Sequence, residues 1–301
     1  MAIVLGDDQY GKAETRVVRI YRDTDRHEIR DLNVSTALRG DFAAAYLTGD
    51  QSKVLPTDSQ KNTCFAFAKE RGVGEIEDYA LALAGHFTDD IESVTSARVE
   101  VDEYRWERVA VDGASHPHTF VRSGHEIRTA AAVIDTEGSV KAQWVVSGVR
   151  ELVVLKSTGS QFTGFLRDRY TTLPEATDRI LATSLTARWR YAETDVAWGE
   201  AFGQVRQILL ERFALVHSRA LQQTLWEMGS AVLGARDDIV EIRLSAPNKH
   251  HFLADLSPFG LDNPGEVFHA DDRPYGLIQC AVVREGAPPA GSAWEAPASF
   301  A

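Results

Sequence analysis

Hydrophobic and polar positions follow two different periods along this chain, and together they predict the same series of elements in each half. Where charged residues alternate with residues such as Val17 and Ile20, the pattern predicts a half-buried strand. Where apolar residues recur three or four positions apart, as from Ile76 to Phe87, the pattern predicts an amphipathic helix. The predicted elements of the first half are strands over 13–22 and 27–38, helices over 61–71 and 76–87, and strands over about 93–111 and 125–149.

The second half repeats this order without obvious sequence identity. Its predicted elements are strands over 152–156 and about 187–191, helices over 198–216 and 221–232, and strands over about 238–246 and 275–284. Because the helices of each half must cover one face of an antiparallel sheet, the fold class is α+β. We therefore expect a duplicated design, with a first domain over 1–148 and a second over 149–301.

Composition and charge restrict the classes of function. The chain has 301 residues, 44% hydrophobic and 25% charged, which is typical of a globular protein of about two domains. A formal net charge of −12 argues against nucleic acid and acidic membrane surfaces as partners. An anionic small molecule can still bind, provided that an Arg or Lys lies at the site. No apolar run reaches the roughly 18 residues that indicate a membrane span.

Cysteine content and the chain ends predict a cytoplasmic protein. Cys64 and Cys280 are too few for a disulfide framework or a cysteine metal cage, which favours a reducing cytosol. The first residues lack the basic region and long apolar core of a signal peptide. The sequence ends in Ser299-Phe300-Ala301, which is no peroxisomal tripeptide.

The stretch Pro247-Asn248-Lys249-His250-His251 brings several reactive side chains to the end of a predicted strand. Proline has no amide hydrogen to donate, so regular strand pairing is expected to stop there. If the extended geometry continues, His250 and His251 face opposite ways, and at most one points into any one pocket. The alternative interpretation is that His251 packs against neighbours and His250 is a solvated loop residue.

Seven short segments together resemble the urate oxidase (uricase) family over essentially the whole chain. Each segment alone is a weak signal, whereas all of them in the family's order and spacing are specific. The segments are Tyr10-Gly11-Lys12-Ala13, Thr57-Asp58-Ser59-Gln60-Lys61-Asn62-Thr63, Lys156-Ser157-Thr158-Gly159-Ser160-Gln161-Phe162, Arg167-Asp168-Arg169-Tyr170-Thr171-Thr172-Leu173, Thr177-Asp178-Arg179-Ile180-Leu181, Leu221-Gln222-Gln223-Thr224 and Pro247-Asn248-Lys249-His250.

The resemblance implies a fold and an activity. The family has two tandem T-fold (tunnelling-fold) domains per chain, and four chains form a tunnel-shaped homotetramer. It oxidises urate with molecular oxygen and water to 5-hydroxyisourate and hydrogen peroxide, the first step of urate degradation in purine catabolism. The family uses neither a metal nor an organic cofactor.

The resemblance also implies which residues bind the substrate. Arg179 and Gln222 match the pair that holds the planar anion from two edges, and Phe162 matches the ring that stacks under the purine. A guanidinium offers parallel donors to one edge, whereas a carboxamide offers one donor and one acceptor to the other. Leu221 matches a position whose backbone amide helps to bind urate. Ile278 matches a residue that lines the pocket.

Lys12, Thr57 and His250 match the family's proton relay. An ammonium, a hydroxyl and an imidazole can pass protons among them, and the hypothesis is that they take a proton from bound urate. The resulting dianion is rich enough in electrons to reduce oxygen. Asn248 matches the residue over the ring face where oxygen and then water sit. Thr57 and Asp58 would reach urate held by a neighbouring chain, so the active sites would lie at subunit interfaces.

Each of these residues also has an interpretation without function. Lys12 can be a solvated strand residue, Thr57 a helix cap and Phe162 part of the core. Arg179 can pair with Asp178 or Glu175 on the surface, where such pairs contribute little. Gln222, at a predicted helix start, can cap that helix.

Other classes of function fit the sequence less well. A zinc enzyme lacks ligands, because His116 and His118 lie in a predicted loop over 113–118 without further ligands nearby. The T-fold cyclohydrolases and aldolases that form pterins hold their heterocycle with Glu where Gln222 stands here. A purine-binding scaffold without activity would keep Arg179 and Gln222 but lose relay residues. No glycine-rich phosphate loop is present.

Overall fold

The computed structural model describes residues 2–138 and 140–295, and the chain divides into two compact units. Unit 1 comprises the residues up to Gly148, the segment Arg190–Gly199 and the segment from Pro288. Unit 2 comprises Val149–Trp189 and Glu200–Ala287. None of the helices in the described part of the chain is long and apolar enough to cross a membrane.

Unit 1 is built from an antiparallel sheet and the helices that cover it. Its elements are β1 (Tyr10–Tyr21), β2 (Glu28–Gly40), α1 (Ala43–Leu47), α2 (Thr57–Glu70), α3 (Ile76–Asp90), β3 (Val94–Glu103), β4 (Trp106–Val111), β5 (Ala114–Arg122), β6 (Ile127–Glu137) and the first half of β7 (Val140–Lys156). The main sheet has the order β1-β2-β3-β6-β7 in this unit, and β4 and β5 form a separate hairpin.

The core of unit 1 forms where the apolar stripes of α2 and α3 meet the apolar face of the sheet. Ile76, Leu83 and Phe87 are fully buried against strand residues such as Leu38 and Val99. Burying one such side chain contributes about 1.5–3 kcal/mol, so the predicted stripe from Ile76 to Phe87 decides where α3 lies.

Unit 2 repeats the arrangement with the second half of β7. Its elements are β8 (Leu181–Tyr191), α4 (Trp198–Leu215), α5 (Leu221–Ala235), β9 (Ile239–Pro247), β10 (His250–Leu253), β11 (Phe268–Asp271) and β12 (Leu277–Val283), with the ends of β8 and α4 in unit 1. The strand order is β7-β8-β9-β12, and β10 pairs with β11. A Cβ on Gly229 of α5 would lie 2.6 Å from the Val282 side chain, so glycine lets this helix approach β12 closely.

The sequence correctly predicted helices α2 to α5, but the segments that follow α3 differ from the prediction. The strand expected over 93–111 is two strands, because β3 ends at Glu103 and β4 begins at Trp106. The loop expected over 113–118 belongs mostly to β5, which carries His116 and His118. Asp112 and Gly113 both have positive φ and form the turn of this hairpin. Its residues are mostly exposed, so the hairpin has little of the hydrophobic contrast that marks a strand.

The middle of the chain also differs from the prediction. The segment predicted as one strand over about 125–149 is divided near Gly138, since β6 ends at Glu137 and Gly138 has φ of 60°. The separate strand expected over 152–156 is wrong, because β7 runs without a break from Val140 to Lys156. Glu151, with φ of 59°, is the one residue of this strand with a positive φ. Helix α1 and the β10–β11 hairpin were not predicted, because they are short and weakly patterned.

Candidate functional site

The predicted site residues are divided into three groups according to the unit and the segments that carry them, and each group is called a cluster. The lysine cluster is Lys12, Thr57 and Asp58 in unit 1. The arginine cluster is Phe162, Arg179, Leu221 and Gln222, and the asparagine cluster is Asn248, His250 and Ile278, both in unit 2.

Lys12 lies at a β-bulge in β1. It pairs with Thr36 of β2, but the register slips between Lys12 and Thr15, and Glu14 adopts a positive φ of 56°. A bulge twists its strand and changes the direction of the side chains beside it, which is why bulges are common next to active sites. A Cβ on Gly11 would lie 1.8 Å from the Thr36 carbonyl oxygen, so this close approach requires glycine.

Two neighbouring hydroxyls of β2 satisfy the backbone amides on either side of the bulge. The amide of Lys12 donates to Thr36 Oγ1 at 3.2 Å, and the amide of Glu14 donates to Ser35 Oγ at 3.0 Å. The Thr36 hydroxyl donates in turn to Gln60 Oε1 at 2.7 Å. Thr36 and Gln60 are both buried. This chain of bonds connects the strand that carries Lys12 to the first turn of α2.

Thr57 begins α2 but does not cap it. The capping residue is Pro56, and no side chain of the segment closes the helix end. The interpretation of Thr57 as a helix cap is therefore wrong. Proline at the cap presets the backbone at φ of −53°, so the turn forms without a side-chain cap. In the part of the chain that the structure describes, the half-buried Thr57 hydroxyl makes no hydrogen bond, which leaves it available to a ligand.

Asp58 brings a carboxylate into the same surroundings as Lys12. It accepts hydrogen bonds from the Lys61 ammonium and, at 3.0 Å, from Asn62 Nδ2. The bond and charge of Lys61 hold the pKa of Asp58 below its ordinary value, and Asn62 and the charge of Lys12 lower that pKa further. The structure thus brings Lys12 and Asp58 close enough to interact.

In the arginine cluster, backbone bonds hold Arg179 beside Phe162. Phe162 and Ala176 exchange two backbone hydrogen bonds of 2.7 and 3.0 Å, and the amide of Arg179 donates to the Ser160 carbonyl at 2.8 Å. The guanidinium carbon lies 5.1 Å from the centroid of the Phe162 ring. Phe165 stacks on Phe162 with 4.7 Å between centroids and 13° between planes. Phe165 therefore covers one face of the Phe162 ring, and the Arg179 guanidinium also lies over this ring.

Arg179 has no carboxylate partner among the described residues. Asp178 instead accepts bonds from Thr158 and Gly159, and Glu175 accepts one from the amide of Gly164 at 3.1 Å. The interpretation of Arg179 as a member of a surface ion pair is therefore wrong. Its Nε is buried without a partner, and burial lowers the pKa of the guanidinium. A cation that is partly removed from water and lacks a counter-ion is well suited to bind an anion.

Gln222 does not cap helix α5, although its position at the start of the helix would allow it to. Helix α5 begins at the buried Leu221, and the neighbouring Gln223 accepts the hydrogen bond from the amide of Arg219 at 3.0 Å. Gln222 is exposed and makes no hydrogen bond to the described residues. The first amides of a helix have no partner within it, so the amide of Leu221 is also available to a ligand.

The asparagine cluster lies where β9 ends. The amide of Asn248 donates to the Gly276 carbonyl at 2.8 Å, close to Ile278, and Asn248 forms a bridge with Thr183. His250 begins β10 and stacks on Phe252 with 5.7 Å between ring centroids. The interpretation of His250 as a loop residue is therefore wrong. A cleft of about 450 Å³ is lined by Pro247, Asn248, Lys249, Asp272, Arg273 and Tyr275.

Sequence reasoning missed several residues that hold these clusters together. Thr36, Gln60, Phe165 and Asp178 contact the segments that carry predicted site residues. Gln60 and Asp178 lie inside the segments on which the resemblance rests. The motifs therefore included these two residues but assigned no role to them. The described residues contain no group of three or more His, Cys, Asp or Glu side chains that could hold a metal ion.

Comparisons with known proteins agree on one family. The profile of the uricase family matches residues 8–133 and 145–279. A uricase of Arthrobacter globiformis is 51% identical over 298 residues, covering 99% of this chain and 96% of that protein. A uricase of Danio rerio is 37% identical, covering 92% and 93% respectively. The crystal structure of the Arthrobacter globiformis uricase matches with a TM-score of 0.92 at 50% identity, over 98% of this chain and 100% of that one.

Proposed function

This chain belongs to the uricase family, and we propose that it oxidises urate with molecular oxygen and water to 5-hydroxyisourate and hydrogen peroxide. Its fold is α+β, with two tandem T-fold domains whose boundaries we propose as 1–148 and 149–301. The observation that carries the proposal is the partly buried Arg179 guanidinium, which has no described counter-ion and lies 5.1 Å from the Phe162 ring.

Substrate binding is assigned to the arginine cluster. Arg179 would donate two parallel hydrogen bonds to one edge of the urate anion, while the carboxamide of Gln222 takes the opposite edge. The purine ring would stack on the uncovered face of Phe162. The amide of Leu221 adds a further donor, and Ile278 supplies an apolar wall. The lack of protein partners for Arg179 and Gln222 in the described structure supports these roles.

Proton removal is assigned to Lys12, Thr57 and His250. These groups would take a proton from the urate anion and leave a dianion, which gives two electrons to oxygen. The reduced oxygen takes up two protons and leaves as hydrogen peroxide. Water then adds to the oxidised purine and gives 5-hydroxyisourate. Asn248 would hold first oxygen and then water over the ring, because its amide can both donate and accept.

A complete active site would form in a homotetramer, between subunits. Thr57 and Asp58 of one subunit would then face urate held by the arginine cluster of a neighbour. Large apolar side chains on the surface of unit 2 support assembly, since Leu166 is 95% exposed and Tyr170 is 71% exposed. We also place the enzyme in the cytosol, where a reducing environment fits its two free thiols.

The direct test uses purified protein that has been treated with a chelator and dialysed. Mixed with urate in air, it should remove the ultraviolet absorbance of urate and release one peroxide per urate consumed. The same mixture without oxygen should leave urate intact. The proposal fails if urate persists in air, and the assignment without a metal fails if only added metal restores turnover.

A further inference from the structure

Asp178 directly precedes Arg179 in the sequence, but its carboxylate binds other residues. One oxygen accepts a hydrogen bond from the Thr158 hydroxyl at 2.6 Å, and the other accepts bonds from the amides of Gly159 at 2.9 Å and Ser160 at 3.4 Å. These donors lower the pKa of Asp178, the Thr158 hydroxyl most of all. The group is therefore an ionised acceptor, and hydrogen bonds to a charged acceptor are the stronger kind.

The segments that Asp178 joins both belong to the arginine cluster. Residues 158–160 lead directly to Phe162, and Asp178 itself precedes Arg179. Gly159 has φ of 77°, which glycine adopts readily among its many conformations, so contacts from other segments are needed to hold the loop in this one. On the other side of the loop, the amide of Ser218 donates to the Gly159 carbonyl at 2.9 Å, just before α5 and Gln222 begin.

We propose that Asp178 is a positioning residue for urate binding: it fixes the loop that carries Phe162 and, because its carboxylate is directed at that loop, does not act as the counter-ion of Arg179. In the described structure the carboxylate makes no ion pair with the neighbouring guanidinium, which keeps its donors for the substrate. The inference rests on the proposed function of the arginine cluster and adds a residue that touches no substrate atom.

The test separates binding from turnover in the intact enzyme. Asp178→Ala removes all the loop contacts, and Asp178→Asn keeps the size but loses the charge and one acceptor. Thr158→Val removes one donor, whereas Thr158→Ser keeps the hydroxyl. For each variant, kcat and KM are measured in air, and the Kd for urate is measured without oxygen.

A matched control is available in the same unit. Asp255 is also an exposed carboxylate with a lowered pKa, caused by the hydroxyl and amide of Ser257, and it accepts the amide bond at 3.0 Å. Its contacts remain within its own turn, away from the segments of the arginine cluster. Asp255→Asn should therefore keep the wild-type KM and Kd.

Asp178→Ala should raise KM and the anaerobic Kd together by about 10-fold with kcat within about twofold, because a misplaced binding group costs affinity first. Thr158→Val should show a smaller rise, and Thr158→Ser should restore wild-type values. Wild-type KM and Kd in Asp178→Ala would overturn the inference, as would a loss confined to kcat. If Asp178→Ala does not fold, Asp178→Asn and Thr158→Val decide by the same criterion. If the wild-type enzyme consumes no urate, the proposed function itself fails.

Discussion

The lysine cluster and the arginine cluster are held in place by different kinds of interaction. At the lysine cluster, the buried side chains are neutral: the Thr36 hydroxyl and the Gln60 carboxamide bond to each other beneath the bulge. Its charged neighbour Asp58 is exposed and already paired with Lys61. At the arginine cluster, the cation itself is partly buried, and its Nε has no partner.

This difference indicates a division of work between the two clusters. A partly buried cation without a counter-ion gains most from an anionic ligand, so the arginine cluster should govern affinity for urate. In the proposed relay, Lys12 at the bulge and the Thr57 hydroxyl move protons without holding the substrate tightly. Variants of the lysine cluster should therefore alter kcat, and variants of the arginine cluster should alter KM.

The largest expected effect is that of Lys12→Met. Loss of the ammonium removes a proton-transfer group, and such groups contribute roughly 10²–10⁴-fold to rates, so kcat should fall by about 100-fold or more. KM should change little. Steady-state kinetics with urate measure both constants. Lys53→Met is the control, because this lysine is exposed and paired with Asp41. Full turnover in Lys12→Met would contradict the division of work between the lysine and arginine clusters.

The second-largest expected effect is that of Arg179→Gln on KM. A hydrogen bond to a charged group is worth about 1.5–3 kcal/mol, so losing the guanidinium should raise KM by about 100-fold. The value of kcat should change less than KM does. Arg236→Gln, which breaks an ion pair with Asp238 in the same unit, should leave KM as it is. An unchanged KM in Arg179→Gln removes Arg179 from the binding role.

A smaller effect is expected from the buried pair beneath the bulge. Thr36→Val leaves the Gln60 carboxamide without its donor and should lower the free energy of unfolding by about 1–3 kcal/mol. The double variant Thr36→Val with Gln60→Leu should recover much of that loss, since both polar groups are then gone. Urea unfolding followed by circular dichroism measures each value. Equal losses in the single and double variants would show that the bond is not what stabilises this region.

The smallest effect concerns Cys64, which lies in α2 and donates to the Gln60 carbonyl at 3.3 Å. Burial raises the pKa of this thiol to about 12, so the reactive thiolate should be absent near pH 8. A thiol reagent should modify Cys64 only after unfolding, which can be measured by mass spectrometry of digested protein. Rapid modification of Cys64 in the native enzyme would show that α2 opens. It would then contradict the description of the lysine cluster as held in place by buried neutral side chains.

How much the sequence could predict depends on hydrophobic contrast. Helices α3 and α5 were predictable because apolar stripes such as Ile76–Phe87 mark a buried face. The β4–β5 and β10–β11 hairpins were missed, because neither has a buried residue and so neither shows such contrast. The identity of the site residues came from the resemblance to a family and stays a prediction.

No local pattern in the sequence could predict the contacts that support the site. Thr36 and Gln60 are 24 residues apart, and Thr158 and Asp178 are 20 residues apart. Neither spacing has a periodic signature, since the fold alone brings these side chains together. Sequence reasoning also left open whether Arg179 pairs with Asp178, and only the geometry of the Thr158 loop answers that question.

The stacking of Phe165 on Phe162 has a stereochemical consequence. Urate is flat, and its two faces are mirror images of each other until it binds. With Phe165 on one face of Phe162, urate would stack against the other, and the proposed contacts of Arg179 and Gln222 with two different edges would decide which urate face stays exposed. If Asn248 delivers water to that face, the new hydroxyl at C5 has one handedness. The enzyme would then release an optically active product from an achiral substrate, through an asymmetry set by the Phe162 ring together with Arg179 and Gln222.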